Sequence, residues 1–132
     1  MKKFLVAILL PIFLLSCGQV STTTEFTYTP TLINAESGKS MMEDNANIVL
    51  LDVRTASEYQ ESHIPGAILL TLDTISSMAS TVIPDKTGLY IVYCHTGNRS
   101  AQAATLLSSL GYAFIYDMGG IVDWPYATVS GS

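Results

Sequence analysis

The sequence predicts an α/β fold in which helices cover both faces of a parallel β-sheet. Two compact apolar runs, residues 48–53 and 89–93, are typical of strands buried on both faces. Segments with helical character stand between and after these runs, and this alternation favours parallel strands joined by helical crossovers. The chain has 132 residues, of which 48% are hydrophobic, so it can form one domain with a substantial core.

Capping and turn residues divide the chain into a series of elements. Asn34 is a suitable cap for a first helix, and the segment from Pro84 to Gly88 interrupts the chain before the second apolar run. Helices are predicted over residues 34–44, 57–61, 73–82 and 99–110. Strands are predicted over residues 48–53, 67–70, 89–94 and 114–116, with turns at residues 63–66 and at Gly119 and Gly120.

The N-terminus has the pattern of a secretory signal. Lys2 and Lys3 precede an apolar run over residues 4–15, and Ser16 supplies a small residue before a cleavage point. A transmembrane anchor is the alternative, but it requires about 20 apolar residues, which is more than this run contains. We therefore expect residues 1–16 to be removed on export.

The two cysteines of the sequence suggest different uses. Leu14-Leu15-Ser16-Cys17 resembles the lipobox of bacterial lipoproteins, which implies that Cys17 is lipidated and becomes the first mature residue. Several acyl chains would give stable attachment to a membrane. A disulfide between Cys17 and Cys94 is the competing possibility in an exported protein, but it would consume the one plausible nucleophile.

These features predict three regions and an exported, membrane-anchored protein that faces the periplasm or the cell exterior. The three regions are a signal peptide (1–16), a Ser/Thr-rich tether (17–30) and a folded domain (31–132). Removing the signal takes away two of the six basic residues and none of the 11 acidic ones. The mature chain therefore lacks the basic surface that nucleic-acid binding requires.

The segment from Cys94 to Arg99 has the features of a reactive site. Cys94 ends a predicted buried strand, and a helix follows directly, so its thiol would face backbone N–H groups and the positive end of a helix dipole. This setting favours thiolate over thiol and suits an anionic sulfur substrate. Gly97 and Asn98 tolerate the left-handed conformations of a tight loop, and Arg99 offers a planar fork of donors to an oxyanion.

Four blocks of sequence resemble the signature of single-domain rhodaneses. They follow the order and spacing of that family between about residues 31 and 126, with Ser62 standing where the family commonly has glycine. The blocks are Leu51-Asp52-Val53-Arg54 with Glu58-Tyr59, His63-Ile64-Pro65-Gly66-Ala67, Cys94 to Ser100, and Gly119-Gly120 with Trp124. The resemblance implies a rhodanese-like parallel sheet of about five strands and sulfurtransferase activity.

The resemblance also implies roles for individual residues. Cys94 would take sulfane sulfur from a donor such as thiosulfate and pass it from a persulfide to a thiol or another thiophilic acceptor. The active-site loop would consist of His95, Thr96, Gly97, Asn98 and Arg99, whose amides stabilise the persulfide while Arg99 helps to bind an anionic donor. Arg54 and Glu58 would form a supporting ion pair, with Asp52 at the strand end nearby.

Two alternatives remain open. Cysteine-dependent phosphatases and arsenate reductases on the same fold use a loop one residue longer, C-x5-R, whereas four residues separate Cys94 from Arg99 here. A persulfide carrier or protein-interaction module that does not turn over is the second alternative. Once Cys17 is acylated no second thiol would remain, so an external acceptor would have to complete the cycle. The sequence has no cluster of metal ligands and no glycine-rich phosphate loop, so we expect neither a metal nor a cofactor.

Overall fold

The computed structural model of the protein describes Pro11, Gly18 and residues 27–132. The strands are β1 (Thr31–Leu32), β2 (Val49–Asp52), β3 (Ile68–Leu69), β4 (Leu89–Cys94) and β5 (Phe114–Gly120). The helices are α1 (Ala35–Asp44), α2 (Ala56–Glu61), α3 (Ile75–Val82) and α4 (Asn98–Ser109), and 3-10 turns cover Leu72–Thr74 and Ile121–Asp123. Cys17 and the predicted signal, apart from Pro11, lie outside the described residues.

The five strands form one parallel sheet in the order β1-β5-β4-β2-β3. The predicted α/β class and the expected number of strands are therefore confirmed. Parallel strands end at a common edge of the sheet, so the last residues of β2 and β4, Asp52 and Cys94, lie at that edge. The two-residue edge strand β1 was not predicted, because so short a segment carries no hydrophobic period.

The core has one layer on each face of the sheet, as the apolar strands predict. Helices α3 and α4 cover one face, where Ala103 and Ala104 of α4 belong to the same buried cluster as Val92. Helix α1 and the segment after α2 cover the other face, where Met41 packs near Ile91. Because both faces are covered, the exposed ends of the strands are the natural place for chemistry.

The start of α4 agrees with the prediction, whereas the end of β5 does not. Helix α4 begins at Asn98, one residue before the predicted start at about Arg99, so Arg99 lies in its first turn. Strand β5 continues to Gly120 and includes the glycine pair that was predicted as a turn. The register of the β4–β5 pairing shifts between Val92 and Cys94, and after this shift Gly120 pairs with Cys94. Within the part of the chain that the structure describes, no helix combines the length and apolarity needed to cross a membrane.

Candidate active site

Cys94 occupies the last position of β4 and is almost fully enclosed. The residue exposes 1% of its surface, and among the described residues it is the one cysteine and forms no disulfide. The loop that follows has three residues, His95 to Gly97, before α4 begins. The backbone N–H of Gly97 donates a hydrogen bond to Sγ of Cys94 at 3.0 Å. A donor in this position stabilises negative charge on the sulfur.

The conformation of Gly97 makes this contact possible. Its φ of 108° lies in the left-handed region, which other residues rarely adopt. Its carbonyl accepts hydrogen bonds from the Ser100 hydroxyl at 3.0 Å and the Ala101 N–H at 3.2 Å, which fix the loop to the first turn of α4. Asn98, which we predicted as a second left-handed position, is instead the first residue of α4. Among the described residues only glycines have a positive φ.

The predicted nest of amides around the sulfur is present only in part. We expected the N–H groups from His95 to Arg99 to surround Sγ, but within the described chain the Gly97 N–H is the one that donates to it. The first N–H groups of α4 have no partner within the helix, and they leave partial positive charge at this end. The sulfur therefore lies beside the helix N-terminus and has one direct N–H donor.

The end of β5 packs directly against the backbone of the loop. A Cβ atom added to Gly120 would lie 2.3 Å from the carbonyl oxygen of His95, so only glycine fits there. The same carbonyl accepts a hydrogen bond from the Val122 N–H at 3.3 Å. In the sequence, Gly120 is part of a family block with no assigned role, and its contact with the loop exists only because β5 pairs with β4.

Arg54 pairs with Asp52, so the predicted ion pair between Arg54 and Glu58 is wrong. The guanidinium of Arg54 donates to both carboxylate oxygens of Asp52, at 2.7 to 3.1 Å, and Nη2 also donates to the carbonyl of Ser62 at 2.7 Å. Burial lowers the pKa of Arg54, but the hydrogen bonds and charge of Asp52 outweigh this effect and raise it above the ordinary value. The sequence places Asp52 at the end of an apolar strand and gives no sign of its partner, which is why the wrong pairing was predicted.

Tyr93 completes this buried network and was missed by the sequence analysis. Its hydroxyl donates to Asp52 at 2.7 Å and accepts from the Ile64 N–H at 3.1 Å. Burial is the main cause that raises the pKa of Tyr93 above its ordinary 10.0, so the phenol stays protonated and remains a donor. A tyrosine within a buried strand requires a hydroxyl partner, and this requirement was the available signal.

Glu58 binds Arg99 across the site. Arg99 donates from Nη1 to Oε2 and from Nη2 to Oε1 of Glu58, both at 2.7 Å, in a bidentate ion pair. The hydrogen bonds from Arg99 hold the pKa of Glu58 far below its ordinary 4.5, and those to Glu58 raise the pKa of Arg99. The structure thus places Glu58 at the active-site loop, joined to the residue that we expected to contact an anion.

The family departure at Ser62 is accommodated without strain. Ser62 has a φ of −166°, an extended conformation that any residue can adopt, so glycine is not required. The next residue, His63, stacks on the ring of Tyr59 with centroids 3.7 Å apart. The Nδ1 atom of His63 is 2.8 Å from the Tyr59 carbonyl, which fits a structural role for this histidine.

A cleft of about 390 Å³ lies at the edge of the sheet beside the loop. Its lining residues come from the segments after β2 and β3 and from the start of α4. They are Val53, Arg54, Thr55, Thr71, Leu72, Asp73 and Arg99. Among the described residues no three histidine, cysteine or acidic side chains are grouped as a metal site would require.

Known proteins match this chain in sequence and in structure. The chain is 37% identical over 81 residues to thiosulfate sulfurtransferase PspE of Escherichia coli, covering 61% of this chain and 78% of that protein. It is 30% identical over 93 residues to the putative sulfur carrier protein YrkF of Bacillus subtilis, covering 70% of this chain but 49% of the relative. A solved structure of a rhodanese with anions from E. coli superposes with a TM-score of 0.60 at 36% identity, over 64% of this chain and 99% of that one.

A family model covers most of the domain. The model of the rhodanese-like domain matches residues 34–126, a span that runs from the cap of α1 past the 3-10 turn that follows β5. It contains the loop around Cys94 and both ion pairs of the site. Two relatives named as sulfurtransferases match 81 and 93 residues of the chain at 37% and 32% identity. The chain belongs to the rhodanese-like domain family, whose members include sulfurtransferases.

Proposed function

We propose that the protein is a sulfurtransferase that carries sulfane sulfur as a persulfide on Cys94. The observation that carries this proposal is the hydrogen bond from the Gly97 N–H to Sγ of Cys94 at the N-terminus of α4. A donor at this position stabilises the thiolate that attacks and the persulfide anion that results. Family membership and the names of the relatives support the same reaction class.

The reaction has two steps that leave Cys94 unchanged. In the first, the Cys94 thiolate attacks the outer sulfur of the donor, a new S–S bond forms and the donor's own bond to that sulfur breaks. With thiosulfate as donor, the electron pair of the broken bond leaves with sulfite. In the second, the acceptor attacks the terminal sulfur and Cys94 leaves as thiolate, so cyanide becomes thiocyanate and a thiolate becomes a persulfide.

The enclosed position of Cys94 favours transfer of a single atom. Since the residue exposes 1% of its surface, a donor that presents a terminal sulfur reaches it more easily than one that presents a tetrahedral phosphate. The spacing supports this choice, because four residues separate Cys94 from Arg99 and phosphatases of this fold use five. We therefore rank phosphate-ester or arsenate chemistry below sulfur transfer.

The test compares thiocyanate production by the wild-type protein and by a Cys94→Ser variant. Serine keeps an acceptor for the Gly97 N–H, so the loop is expected to retain its structure. With thiosulfate or an organic persulfide as donor and cyanide as acceptor, we expect turnover by the wild-type protein alone. Hydrolysis of phosphomonoesters at a higher rate than thiocyanate formation would contradict the proposal.

A persulfide carrier is the second candidate function. It is supported by the relative named a putative sulfur carrier protein. A carrier would load Cys94 once and wait for a particular acceptor. Loading without repeated turnover, with cyanide and several small thiols as acceptors, would favour this role over catalysis.

The N-terminal segment leads to a further part of the proposal. The pattern of residues 1–16 and the lipobox at residues 14–17 support export and attachment of lipid to Cys17. Mass spectrometry of the protein purified from membranes is expected to find a lipidated Cys17 as the first residue. An unmodified Cys17, or a membrane-bound form that retains residues 1–16, would contradict lipidation. A Cys17→Ser variant should no longer be recovered with membranes through this anchor.

A further inference from the structure

The charge of Arg99, the cation nearest in sequence to the active-site cysteine, is already neutralised. Both terminal nitrogens of its guanidinium are bound to Glu58 at 2.7 Å, in the geometry by which arginine recognises carboxylates and other oxyanions. An anionic donor that requires this fork of N–H groups must therefore compete with a carboxylate that already occupies it.

Glu58 is held in place by its own helix. It is the third residue of α2, and its Oε2 accepts hydrogen bonds from the N–H and the hydroxyl of Thr55, both at 2.9 Å. The Thr55 hydroxyl in turn accepts from the Glu58 N–H at 3.3 Å, which completes a capping box. These bonds hold the Glu58 carboxylate in place without Arg99. An anion that moved this carboxylate away from Arg99 would therefore also break hydrogen bonds at the start of the helix.

The cleft beside the loop contains no uncompensated positive charge among the described residues. Arg54 and Arg99 both line it, but the first is paired with Asp52 and the second with Glu58. Asp73 lines the same cleft and forms no salt bridge within residues 27–132. The volume of the cleft, about 390 Å³, is in the range for small ligands. With both arginines paired, the carboxylate of Asp73 is the charge at the cleft that has no ion-pair partner among the described residues, and it disfavours a dianion.

We propose that Glu58 determines donor specificity at this site by disfavouring dianionic donors such as thiosulfate. The inference rests on the proposed sulfur transfer to Cys94 and deepens it by naming the donor class. That class is a small organic persulfide whose carrier bears no anionic group. Cys94 thiolate attacks the terminal sulfur of the persulfide R–S–SH, the S–S bond of the donor breaks and R–S⁻ leaves, so Cys94 becomes the persulfide. No external oxidant or reductant takes part.

The test measures how fast each donor loads Cys94 in wild-type, Glu58→Gln and Glu61→Gln proteins, by intact mass at low ionic strength. Glutamine at position 58 still serves a capping box but cannot form the ion pair. Glu61 ends the same helix and is exposed, so its variant is the matched control for removing one charge. The donors are thiosulfate, the persulfide of 2-mercaptoethanol and the persulfide of mercaptoacetate, of which the last two differ by one carboxylate.

We expect Glu58→Gln to raise the second-order rate constant for thiosulfate at least about tenfold, because charges in a cleft change association rates by such factors. The mercaptoacetate persulfide should gain by a smaller factor, and the 2-mercaptoethanol persulfide should change by less than about twofold. Glu61→Gln should leave all three rate constants near those of the wild-type protein. An equal change for all donors, or a lower rate with thiosulfate, would overturn the inference.

The salt dependence of the wild-type protein gives a check without any variant. If the cleft repels thiosulfate, screening should raise its loading rate as salt increases, whereas attraction by a free Arg99 would make the rate fall. A falling rate would overturn the inference while leaving sulfur transfer intact. If no donor loads Cys94 in any of the three proteins, the proposed function itself is wrong, and the inference is overturned with it.

Discussion

Gly120 lies directly against the backbone of His95, the first residue after the active-site cysteine. A Cβ at position 120 would come within 2.3 Å of the His95 carbonyl oxygen and 2.7 Å of the Thr96 Cα atom. Both neighbours are backbone atoms that cannot move without shifting the loop. Strand β5 therefore limits how closely the loop can approach the end of the sheet, and it thereby fixes the position of Gly97 relative to Cys94.

We expect Gly120→Ala to displace the loop and to destabilise the protein. The clash is of the overpacking type, for which the free energy of unfolding typically falls by about 1–3 kcal/mol. Urea denaturation measures this loss, and intact mass after incubation with a donor measures how fast Cys94 acquires sulfur. We predict that both decrease.

Gly38→Ala is a suitable control for this experiment. Its added Cβ would meet the side chain of Met118 rather than the loop. In that variant Cys94 should acquire sulfur at the wild-type rate, whatever the change in the free energy of unfolding. If Gly120→Ala loads as fast as the wild-type protein, β5 does not position the loop.

The pairing of Arg54 can be tested by double-mutant cycles. Arg54 exposes 4% of its surface and Asp52 none, so removal of either partner leaves a buried charge and is expected to cost about 3–5 kcal/mol. Since the two residues are bound to each other, Arg54→Gln and Asp52→Asn should show strong coupling in the free energy of unfolding. Arg54→Gln and Glu58→Gln should show weaker coupling, because each of these residues has a different ion-pair partner. Equal or stronger coupling between Arg54 and Glu58 would restore the pairing that we predicted from the sequence.

The ion pair of Glu58 and Arg99 makes part of the stability depend on pH. Arg99 lowers the pKa of Glu58 in the folded state below the 4.5 of the free side chain, so the folded protein binds this proton less readily than the unfolded chain. The stabilisation is complete above about pH 4.5 and is lost as the pH falls towards the folded-state pKa. The side chains are 33% and 29% exposed, so we expect about 1 kcal/mol or less.

The measurement compares the wild-type protein with Glu58→Gln by urea denaturation between pH 7 and pH 3. Glutamine does not titrate, so the stability difference between the two proteins should be largest near pH 7 and should shrink below pH 4.5. A difference that stays constant over this range would show that the ion pair contributes no pH-dependent stability.

Structural elements that carry a local signal in the sequence are predicted well. Asn34 was predicted as a cap, and its side chain accepts from the Ser37 N–H at 2.8 Å, one turn into α1. Cys94 was predicted at the end of a buried strand, and β4 ends there. Both predictions depend on residues close together in the chain, where capping and hydrophobic runs act directly.

Contacts between distant residues were predicted less well. Glu58 and Arg99 are 41 positions apart, and so are Asp52 and Tyr93. Nothing local in the sequence indicates which acidic residue will face which arginine, because the answer depends on how the strand ends are arranged in the sheet. The short strand β1 was missed for a related reason, since it exists only through its pairing with β5.

Intact mass spectrometry determines whether Cys94 accepts a single sulfur atom. A fragment of residues 27–132 would be incubated with thiosulfate and, separately, with the persulfide of 2-mercaptoethanol, then with cyanide. We expect a gain of one sulfur atom that cyanide removes, and no gain in the Cys94→Ser variant. A Cys94 that stays unmodified with both donors, or a gain that persists in Cys94→Ser, would rule out the proposed transfer.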